Sequence, residues 1–423
     1  MSTTPPPSRI RAQLGTIRSY FLAFSIIRLG AIVLGVLSVI GLVYLVLGKP
    51  GAQYLLEKLF AAILGFLLGL AWPFYKRILF RPGRTIEVGG YFTFASQLFP
   101  LKALDGPVTY QSHELVFEVS GRLQLPEYLI KAHGHMVDRM KSYAGDKVLF
   151  DGACFVLASA PLIRRSWEGV RERPTIVVDF KQTTYFVRVL MRGAMSDELR
   201  EHIEQDWPND IPHLSDLRRA ALMESDDFSP FLHPGAGIDI CLVAYDRAGR
   251  PWTLVQRRGA GIAENTGIWA TSLHESFSSD DVTSDSLIDP FLTANRAARE
   301  ELGISLNKIE YFVVAIDEGS LPGKKVARSG GFELIGCAET SLPAERLEDT
   351  RFRGRDKFEA VEIMALELNV DSLVSIFRKA PPDQWFPPAL LAICETLERL
   401  RPGSWHRLAA QVEAIAQILP PHD

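Results

Sequence analysis

The residues with the clearest potential for chemistry lie between positions 295 and 304, where Arg296, Glu300 and Glu301 stand close together. Residues three and four apart share one face of an α-helix, so position 297 would lie beside both glutamates. Carboxylate oxygens are the ligands that Mg²⁺ prefers, and two neighbouring glutamates could hold such a cation. Position 297 is alanine, so this part of the helix face offers no ligand.

The elements around this predicted helix would position it. Gly303 permits the left-handed backbone that ends a helix, and Ala298, Leu302 and Ile304 suit a face packed on a sheet. The mostly apolar run 238–245, the turn 246–249 and the run 252–257 predict a β-hairpin before the helix. Further strands are predicted after it at 311–316, 331–339 and 358–366.

The segment 296–304 has the spacing R-x-U-x-E-E-x-G-U, in which U is an aliphatic residue. This spacing resembles the second half of a Nudix box. The segments 254–258, 268–272 and 358–363 resemble Nudix strands in the order that this family uses. The resemblance covers about residues 235–400 and implies an α/β/α sandwich with carboxylates around Mg²⁺, which bridges a diphosphate and activates water. The alternative is an exposed amphipathic helix with the same Arg-Glu-Glu pattern.

The box departs from the Nudix pattern at two places. Residues 271–276 stand where the family has its Gly-Gly turn, and Ala297 stands where it has a carboxylate; a Ser- and Asp-rich insertion follows at 278–289. The loss of one acidic ligand weakens both Mg²⁺ binding and the orientation of water, so hydrolysis is the less favoured interpretation. Glu300 and Glu301 remain the predicted metal ligands, and another could come from Glu275, Asp289, Glu359 or Glu362.

A Nudix-like cleft without hydrolysis would still suit a nucleotide. Trp269 could stack on a base, and its alternative is a core tryptophan. Cationic side chains could bind phosphate, because guanidinium groups match phosphate oxygens. The loop 319–331 that carries three of them is, as an alternative, a solvated turn. We predict ligand-binding roles for Trp269, Arg257, Arg258, Lys324, Lys325 and Arg328.

The net charge of −4 conceals an asymmetry along the 423 residues. Residues 1–84 carry ten Lys and Arg against one Glu, a charge of +9, which leaves −13 for the remainder. Binding to polymeric nucleic acid needs many cations that neutralise phosphates, so the acidic remainder argues against it. Two to three domains are predicted at about 150 residues each.

Two apolar segments predict a transmembrane hairpin. Residues 29–47 are 19 uncharged residues without proline, close to the ~20 that cross a bilayer as a helix. Residues 59–74 are 16 uncharged residues, or ~24 Å of helix, with Lys58 reaching outward; a re-entrant helix is the alternative here. A signal peptide fits poorly, because the apolar run is too long and no cleavage site follows.

Four basic residues precede the first apolar segment and four follow the second. The positive-inside rule therefore places both termini and the body in the bacterial cytoplasm, with two spans in the inner membrane. Small residues recur on both segments and would allow homo-oligomers. The four cysteines show no C-x-x-C pair and no metal spacing, which indicates buried thiols in a reducing compartment.

The predicted fold class is a membrane protein: a tail and two-helix transmembrane hairpin at 1–84, an α+β intermediate domain at 85–230, and a Nudix-like α/β/α sandwich with C-terminal helices at 231–423. In the intermediate domain a helix is predicted at 196–204, and His133 and His135 are a weak candidate metal pair. Helices are predicted at 370–378, 387–400 and 404–419, the first of them as the second flanking helix of the Nudix-like sandwich. Strands are predicted at 86–94, 115–119, 147–157, 175–180 and 184–189.

Two membrane helices before a body with an incomplete Nudix box resemble the transmembrane, SMODS-associated Nudix effectors of CBASS, the cyclic-oligonucleotide antiphage systems of bacteria. The resemblance implies that a cGAS-like nucleotidyltransferase makes a cyclic oligonucleotide, that the Nudix-like domain binds it, and that oligomerised hairpins then disrupt the inner membrane. Such a ligand can change how the hairpins associate only if it binds one arrangement of the soluble domains more tightly than the other. The alternatives are a membrane-anchored, Mg-dependent Nudix hydrolase of a nucleoside diphosphate derivative, and an adaptor that tethers a partner to the lipid bilayer.

Overall fold

The computed structural model describes residues 86–144, 151–168, 171–192, 195, 197–224, 229–259, 267–319, 330–352 and 360–418. All of them belong to one structural unit, Pro82–Asp423. The two predicted membrane segments, 29–47 and 59–74, lie outside the described residues, as do Lys324, Lys325 and Arg328.

The predicted fold class and localisation are corrected by the architecture. Within the ranges given above, no helix is both long and apolar enough to cross a bilayer. The helix Glu127–Ala144, for example, has 18 residues but carries charged side chains on successive turns, which a membrane span excludes. The described residues form an α+β structure. For this part of the chain, the predicted fold class of a two-span membrane protein and the predicted inner-membrane localisation are wrong.

The described strands fall into two sheets. In chain order they are β1 (Tyr91–Phe94), β2 (Gln97–Asp105), β3 (Leu115–Arg122), β4 (Ala153–Leu157), β5 (Leu162–Glu168), β6 (Arg171–Thr184), β7 (Gly235–Tyr245), β8 (Pro251–Arg258), β9 (Trp269–Thr271), β10 (Leu273–Ser276), β11 (Leu306–Asp317), β12 (Gly331–Thr340) and β13 (Ala360–Glu367).

The described α-helices are distributed between these strands. In chain order they are α1 (Glu127–Ala144), α2 (Tyr185–Arg192), α3 (Asp197–Glu204), α4 (Leu217–Glu224), α5 (Ser229–Leu232), α6 (Pro290–Glu301), α7 (Val370–Lys379), α8 (Pro387–Leu400) and α9 (Ser404–Ile418).

The large sheet has the order β1-β2-β11-β12-β7-β8-β13, with β10 paired to β7 and β9 to β8. Only β7 and β12 are parallel neighbours among these pairings. The predicted hairpin is confirmed, since β7 and β8 pair at Ala244 and Trp252. Beyond that pair β9 and β10 fill the space between the two strands, and Ser272 between them donates from Oγ to the carbonyl of Leu254 at 2.5 Å. The large sheet also includes β1 and β2, which precede the small sheet in the chain.

The small sheet, β3-β6-β4 with β5 also on β6, packs over one face of the large sheet. Four phenylalanines join the two sheets, with ring centroids 5.5–5.7 Å apart. Rings at these distances and tilts pack edge to face, which adds to their burial. The four rings belong to Phe117, Phe180, Phe277 and Phe332.

Helices lie on both faces of the large sheet. The alanines of α6 pack with Ile238 and Leu334 on the face that the small sheet also covers. On the other face, Leu390 and Leu391 of α8 pack with Ile335. Because the central strands are buried on both sides, β7 reads as a nearly continuous apolar run. The strands predicted after α6 and the helices predicted at 387–400 and 404–419 are confirmed, within five residues at their ends.

Two sequence predictions about individual elements are wrong. Residues 184–189, predicted as a strand, belong mainly to α2, whose apolar residues are buried among helices rather than in a sheet. The helix that covers the second face of the sheet is α8, whereas α7, predicted for that place, packs chiefly on α9 and β13. Apolar periodicity identified these segments but did not decide their partners.

Several strand ends meet at one end of the large sheet, which we call the loop end. The antiparallel and parallel pairings bring together the last residues of β8, β10 and β11 and the first residues of β7 and β12. Gly235 and Gly331 face each other there, and a Cβ on Gly331 would lie 2.5 Å from the carbonyl oxygen of Gly235. The segments 260–266 and 320–329, outside the described residues, both join the described chain at this end.

Candidate functional site

The helix of the box, α6, begins and ends at residues that stabilise it locally. Asp289 caps it, because Oδ1 accepts a hydrogen bond from the backbone N–H of Phe291 at 2.8 Å. At the other end Gly303 has φ +64°, and the backbone N–H of Ile304 donates to the carbonyl of Ala298 at 3.1 Å. These features define a left-handed helix end, so the predicted role of Gly303 is confirmed.

Arg296 is the centre of the polar group on α6. Its Nε and Nη2 donate to the two carboxylate oxygens of Asp281, both at 3.0 Å, and Nη2 also donates to the carbonyl of Ser276 at 2.9 Å. Its Nη1 donates to Glu300 Oε2 at 3.1 Å and lies 3.6 Å from Glu275 Oε2. One guanidinium thus bridges three carboxylates and ties α6 to the segment that precedes it.

This group is shielded from water, most strongly at Asp281. The exposed fraction of the side chain is 1% for Asp281, 12% for Arg296 and 34% for Glu300. Burial disfavours the charged guanidinium, but the hydrogen bonds to Asp281 and the charge of Glu275 more than offset it, so the pKa of Arg296 is raised. Arg296 is therefore a permanent cation that offsets part of the negative charge of these three carboxylates.

Asp281 is a site residue that the sequence pattern did not reveal. It lies in the Ser- and Asp-rich insertion, at the end of a short 3₁₀ turn, Ser279–Asp281. The backbone N–H of Ser278 donates to Asp281 Oδ2 at 2.8 Å, which orients the carboxylate. The available signal was the Ser-x-x-Asp spacing of a capping box, but this spacing does not show that the carboxylate meets Arg296.

At the position of the third carboxylate that the Nudix pattern places around Mg²⁺, the described chain has an alanine. Ala297, at the position of the missing ligand, is fully buried in the core beneath α6. Mg²⁺ requires oxygen ligands in near-octahedral geometry, and a guanidinium bonded to Glu300 repels a second cation there. The metal site predicted at Glu300 and the partly buried Glu301 thus lacks the third carboxylate of the Nudix pattern.

The alternative metal donors are dispersed or engaged. Glu275 lies beside Arg296, and Asp289 caps α6. Glu362 is exposed on β13, directly across from β8. Glu359 lies outside the described residues. Of these donors, the described part of the chain brings Glu275 close to Glu300, and Arg296 contacts both of them.

Trp269 packs inside the Nudix-like domain. It is 6% exposed, and its ring is stacked on Trp385, with the centroids 5.8 Å apart and the planes at 25°. Its carbonyl accepts a hydrogen bond from the backbone N–H of Phe386 at 2.8 Å. This packing is that of a core tryptophan, and the base-stacking role stays a prediction.

Arg257 and Arg258 are the last two residues of β8, at the loop end, and alternation along the strand directs them to opposite faces. Arg257 is exposed, and its Nε donates to the carbonyl of Gly267 at 3.1 Å. Arg258 is partly buried, and its Nε has no hydrogen-bond partner among the described residues. The segment 320–329, which carries Lys324, Lys325 and Arg328, joins the sheet at this same end.

The two histidines on α1 do not form a metal pair. Two positions along a helix are about 200° apart, so the rings face different partners. His133 Nε2 lies 2.6 Å from Asp151 Oδ2, and His135 Nε2 lies 2.8 Å from the carbonyl oxygen of Ile203.

A different group brings metal-ligating side chains together within the large sheet. Asp239 on β7, His274 on β10 and Glu333 on β12 each offer one ligand atom, and these atoms lie within 4.8 Å of one another. His274 Nδ1 is 3.0 Å from Asp239 Oδ1. Because the three residues come from different strands, only the sheet register unites them, and no sequence spacing reveals them.

Comparisons with known proteins give limited similarity. No protein-family model matches the chain, and no curated protein matches it. Among solved structures, DR0079 from Deinococcus radiodurans shares 15% identity over 40% of this chain and 83% of its own, with a TM-score of 0.24. RenU, a Nudix hydrolase from M. smegmatis, shares 15% identity over 45% of this chain and 90% of its own, with a TM-score of 0.22.

Similarity at these scores carries no argument about function. The term Nudix-like domain therefore rests on this chain's own strand order, on helices on both faces of the sheet, and on a box helix that ends at Gly303.

Proposed function

We propose that the Nudix-like domain is a receptor for an anionic nucleotide and does not hydrolyse it. The observation that carries this proposal is Ala297, which is buried in the core at the position where the box pattern has a carboxylate. Without that ligand the box offers fewer oxygens to a divalent cation, and water activation depends on that cation. Arg296 holds Asp281, Glu300 and Glu275 in contacts with a protein cation.

The loop end is the proposed binding surface. Arg258 supports this location, because a buried guanidinium nitrogen without a partner costs about 1–3 kcal/mol and an anion would satisfy it. Arg257, the residue before it on β8, is exposed to solvent. Together with Lys324, Lys325 and Arg328 on the adjoining segment, these residues would supply the guanidinium and ammonium groups that bind phosphates.

The ligand class that we propose is a cyclic oligonucleotide made by a cGAS-like nucleotidyltransferase. This identification follows the resemblance of the chain, with two apolar N-terminal segments before a body with an incomplete Nudix box, to the Nudix effectors of CBASS. A ligand that contacts two copies of the chain would also favour a homo-oligomer, because it binds the associated state more tightly than the separate one. The acidic balance of residues 85–423 favours such a small anion over polymeric nucleic acid.

The test is the thermal unfolding midpoint of the full chain, measured against cyclic di- and trinucleotides and their linear counterparts. A ligand at 100 times its Kd stabilises the native state by about 2.7 kcal/mol, so a binding nucleotide raises the midpoint by several degrees. Arg257→Ala and Arg258→Ala should weaken this shift. Arg247→Ala is the matched control, because Arg247 is an exposed arginine in the turn at the opposite end of β8.

Two results would overturn the proposal. The first is the absence of a shift with every nucleotide of the panel. The second is magnesium-dependent turnover of a nucleoside diphosphate derivative that Glu300→Gln abolishes, since this would show that the box is catalytic despite Ala297.

A further inference from the structure

The group formed by Asp239, His274 and Glu333, called the strand triad below, lies on the opposite face of the large sheet from α6. Ile238 packs in the core with α6, and side chains alternate along a strand, so Asp239 points to the other face. His274 is directly opposite Asp239 on the neighbouring strand. Its ring lies 4.7 Å from that of Phe386, at the start of α8. The strand triad is therefore separate from the box.

Glu333 has an unsatisfied carboxylate oxygen. The residue is 3% exposed, and Oε2 has no hydrogen-bond partner among the described residues. Two buried carboxylates as close as Asp239 and Glu333 need a proton or a cation between them, because isolated buried charge is costly.

The charges around the strand triad leave room for a divalent cation. Asp317, at the end of β11, is a third buried carboxylate that acts on Glu333, and Arg192 is the cation that acts on it. Arg188, the other buried arginine of α2, donates a hydrogen bond to the hydroxyl of Ser276. The three buried carboxylates of this region therefore outnumber the two buried arginines of α2, and a cation would offset the remaining acidic character.

We propose that the strand triad binds one divalent transition-metal ion, such as zinc or manganese, which holds β7, β10 and β12 together. An imidazole nitrogen combined with carboxylate oxygens suits these ions, whereas Mg²⁺ and Ca²⁺ prefer oxygen alone. Ligands at ~2.1 Å from a tetrahedral ion lie ~3.4 Å apart. The strand triad, with its atoms within 4.8 Å, needs only small side-chain rotations to reach that geometry.

The experiment measures metal content in the full chain. The purified protein is stripped with a chelator, dialysed against Zn²⁺ or Mn²⁺ alone, and analysed for bound metal by mass spectrometry and for its unfolding midpoint. The wild type should bind about one ion per chain with a raised midpoint. Glu333→Gln should weaken the affinity at least tenfold. This variant should fold, because the amide of glutamine has nearly the same shape and size as the carboxyl group that it replaces.

His274→Gln provides a second variant, with His406→Gln as its matched control because His406 is exposed on α9. Glu300→Gln tests the box and should leave metal binding unchanged. The proposal is refuted if the wild type binds neither ion, if both triad variants retain full affinity, or if Glu300→Gln alone removes the metal. Nucleotide binding at the loop end is measured separately, so this proposal and the proposed function can fail independently.

Discussion

Replacement of Arg296 by methionine tests whether the box is a structural device. Methionine keeps much of the length and the helix propensity of arginine but removes the charge and every hydrogen bond of the guanidinium. Asp281 would then be a buried carboxylate, 1% exposed, that retains the backbone N–H of Ser278 but has lost its cation. Glu300 is one-third exposed and can turn to water.

The expected loss of unfolding free energy comes mainly from Asp281, because it stays buried whereas Glu300 can reach water. Removal of one partner of a buried ion pair typically costs about 3–5 kcal/mol, because the other charge stays buried. Asp281 keeps one backbone hydrogen bond, so we expect the lower part of this range, about 3–4 kcal/mol. At about 2 °C per kcal/mol for a domain of this size, the unfolding midpoint should fall by about 6–8 °C.

The assay is urea unfolding of the full chain, followed by circular dichroism, with a double-mutant cycle. Asp281→Asn combined with Arg296→Met should destabilise by at least ~1 kcal/mol less than the two single changes added together. Arg299→Met is the control, because Arg299 is exposed on the same helix and should change stability by less than about 0.5 kcal/mol. A loss below ~1 kcal/mol for Arg296→Met, or strict additivity in the cycle, would refute the structural role.

Three further predictions concern other packed groups. Asp151→Ala should cost about 1–2 kcal/mol at pH 7, because Oδ1 accepts a backbone hydrogen bond from the first turn of α2. Burial raises the pKa of Asp151, but its hydrogen bonds, first of all that from His133, outweigh burial, so the pKa is lower in the folded protein than in the unfolded chain. The stabilisation by the ionised carboxylate is therefore full above the unfolded pKa and is lost as the pH falls through the folded pKa. In urea unfolding, the difference in stability between wild type and variant should shrink below about pH 4. Trp269→Ala should lower the unfolding free energy of the ligand-free protein by about 3–5 kcal/mol, since the ring stacks on Trp385, and a loss below ~1 kcal/mol would contradict the core role. Burial raises the pKa of Cys241 to about 11, so iodoacetamide at pH 8, followed by peptide mass spectrometry, should modify it only after denaturation; rapid labelling of native protein would be the contrary result.

The sequence by itself determined the local elements of the Nudix-like domain. A helix within 295–304, its end at Gly303 and the strands on either side follow from apolar periodicity and from glycine's tolerance of positive φ. The departure at Ala297 was also visible, because the box spacing assigns each position a chemical role. These properties depend on residues within one or two turns of one another, which is why a linear pattern contains them.

The tertiary structure decided which distant residues meet. Asp281 contacts Arg296 only because the insertion folds back over α6, and the strand triad exists only through the register of β7, β10 and β12. The same holds for 184–189, where burial among helices prevailed over a β-branched pattern. The physical reason is that buried charges and core packing depend on through-space neighbours, and the spacing of residues along a chain does not specify how its elements are brought together.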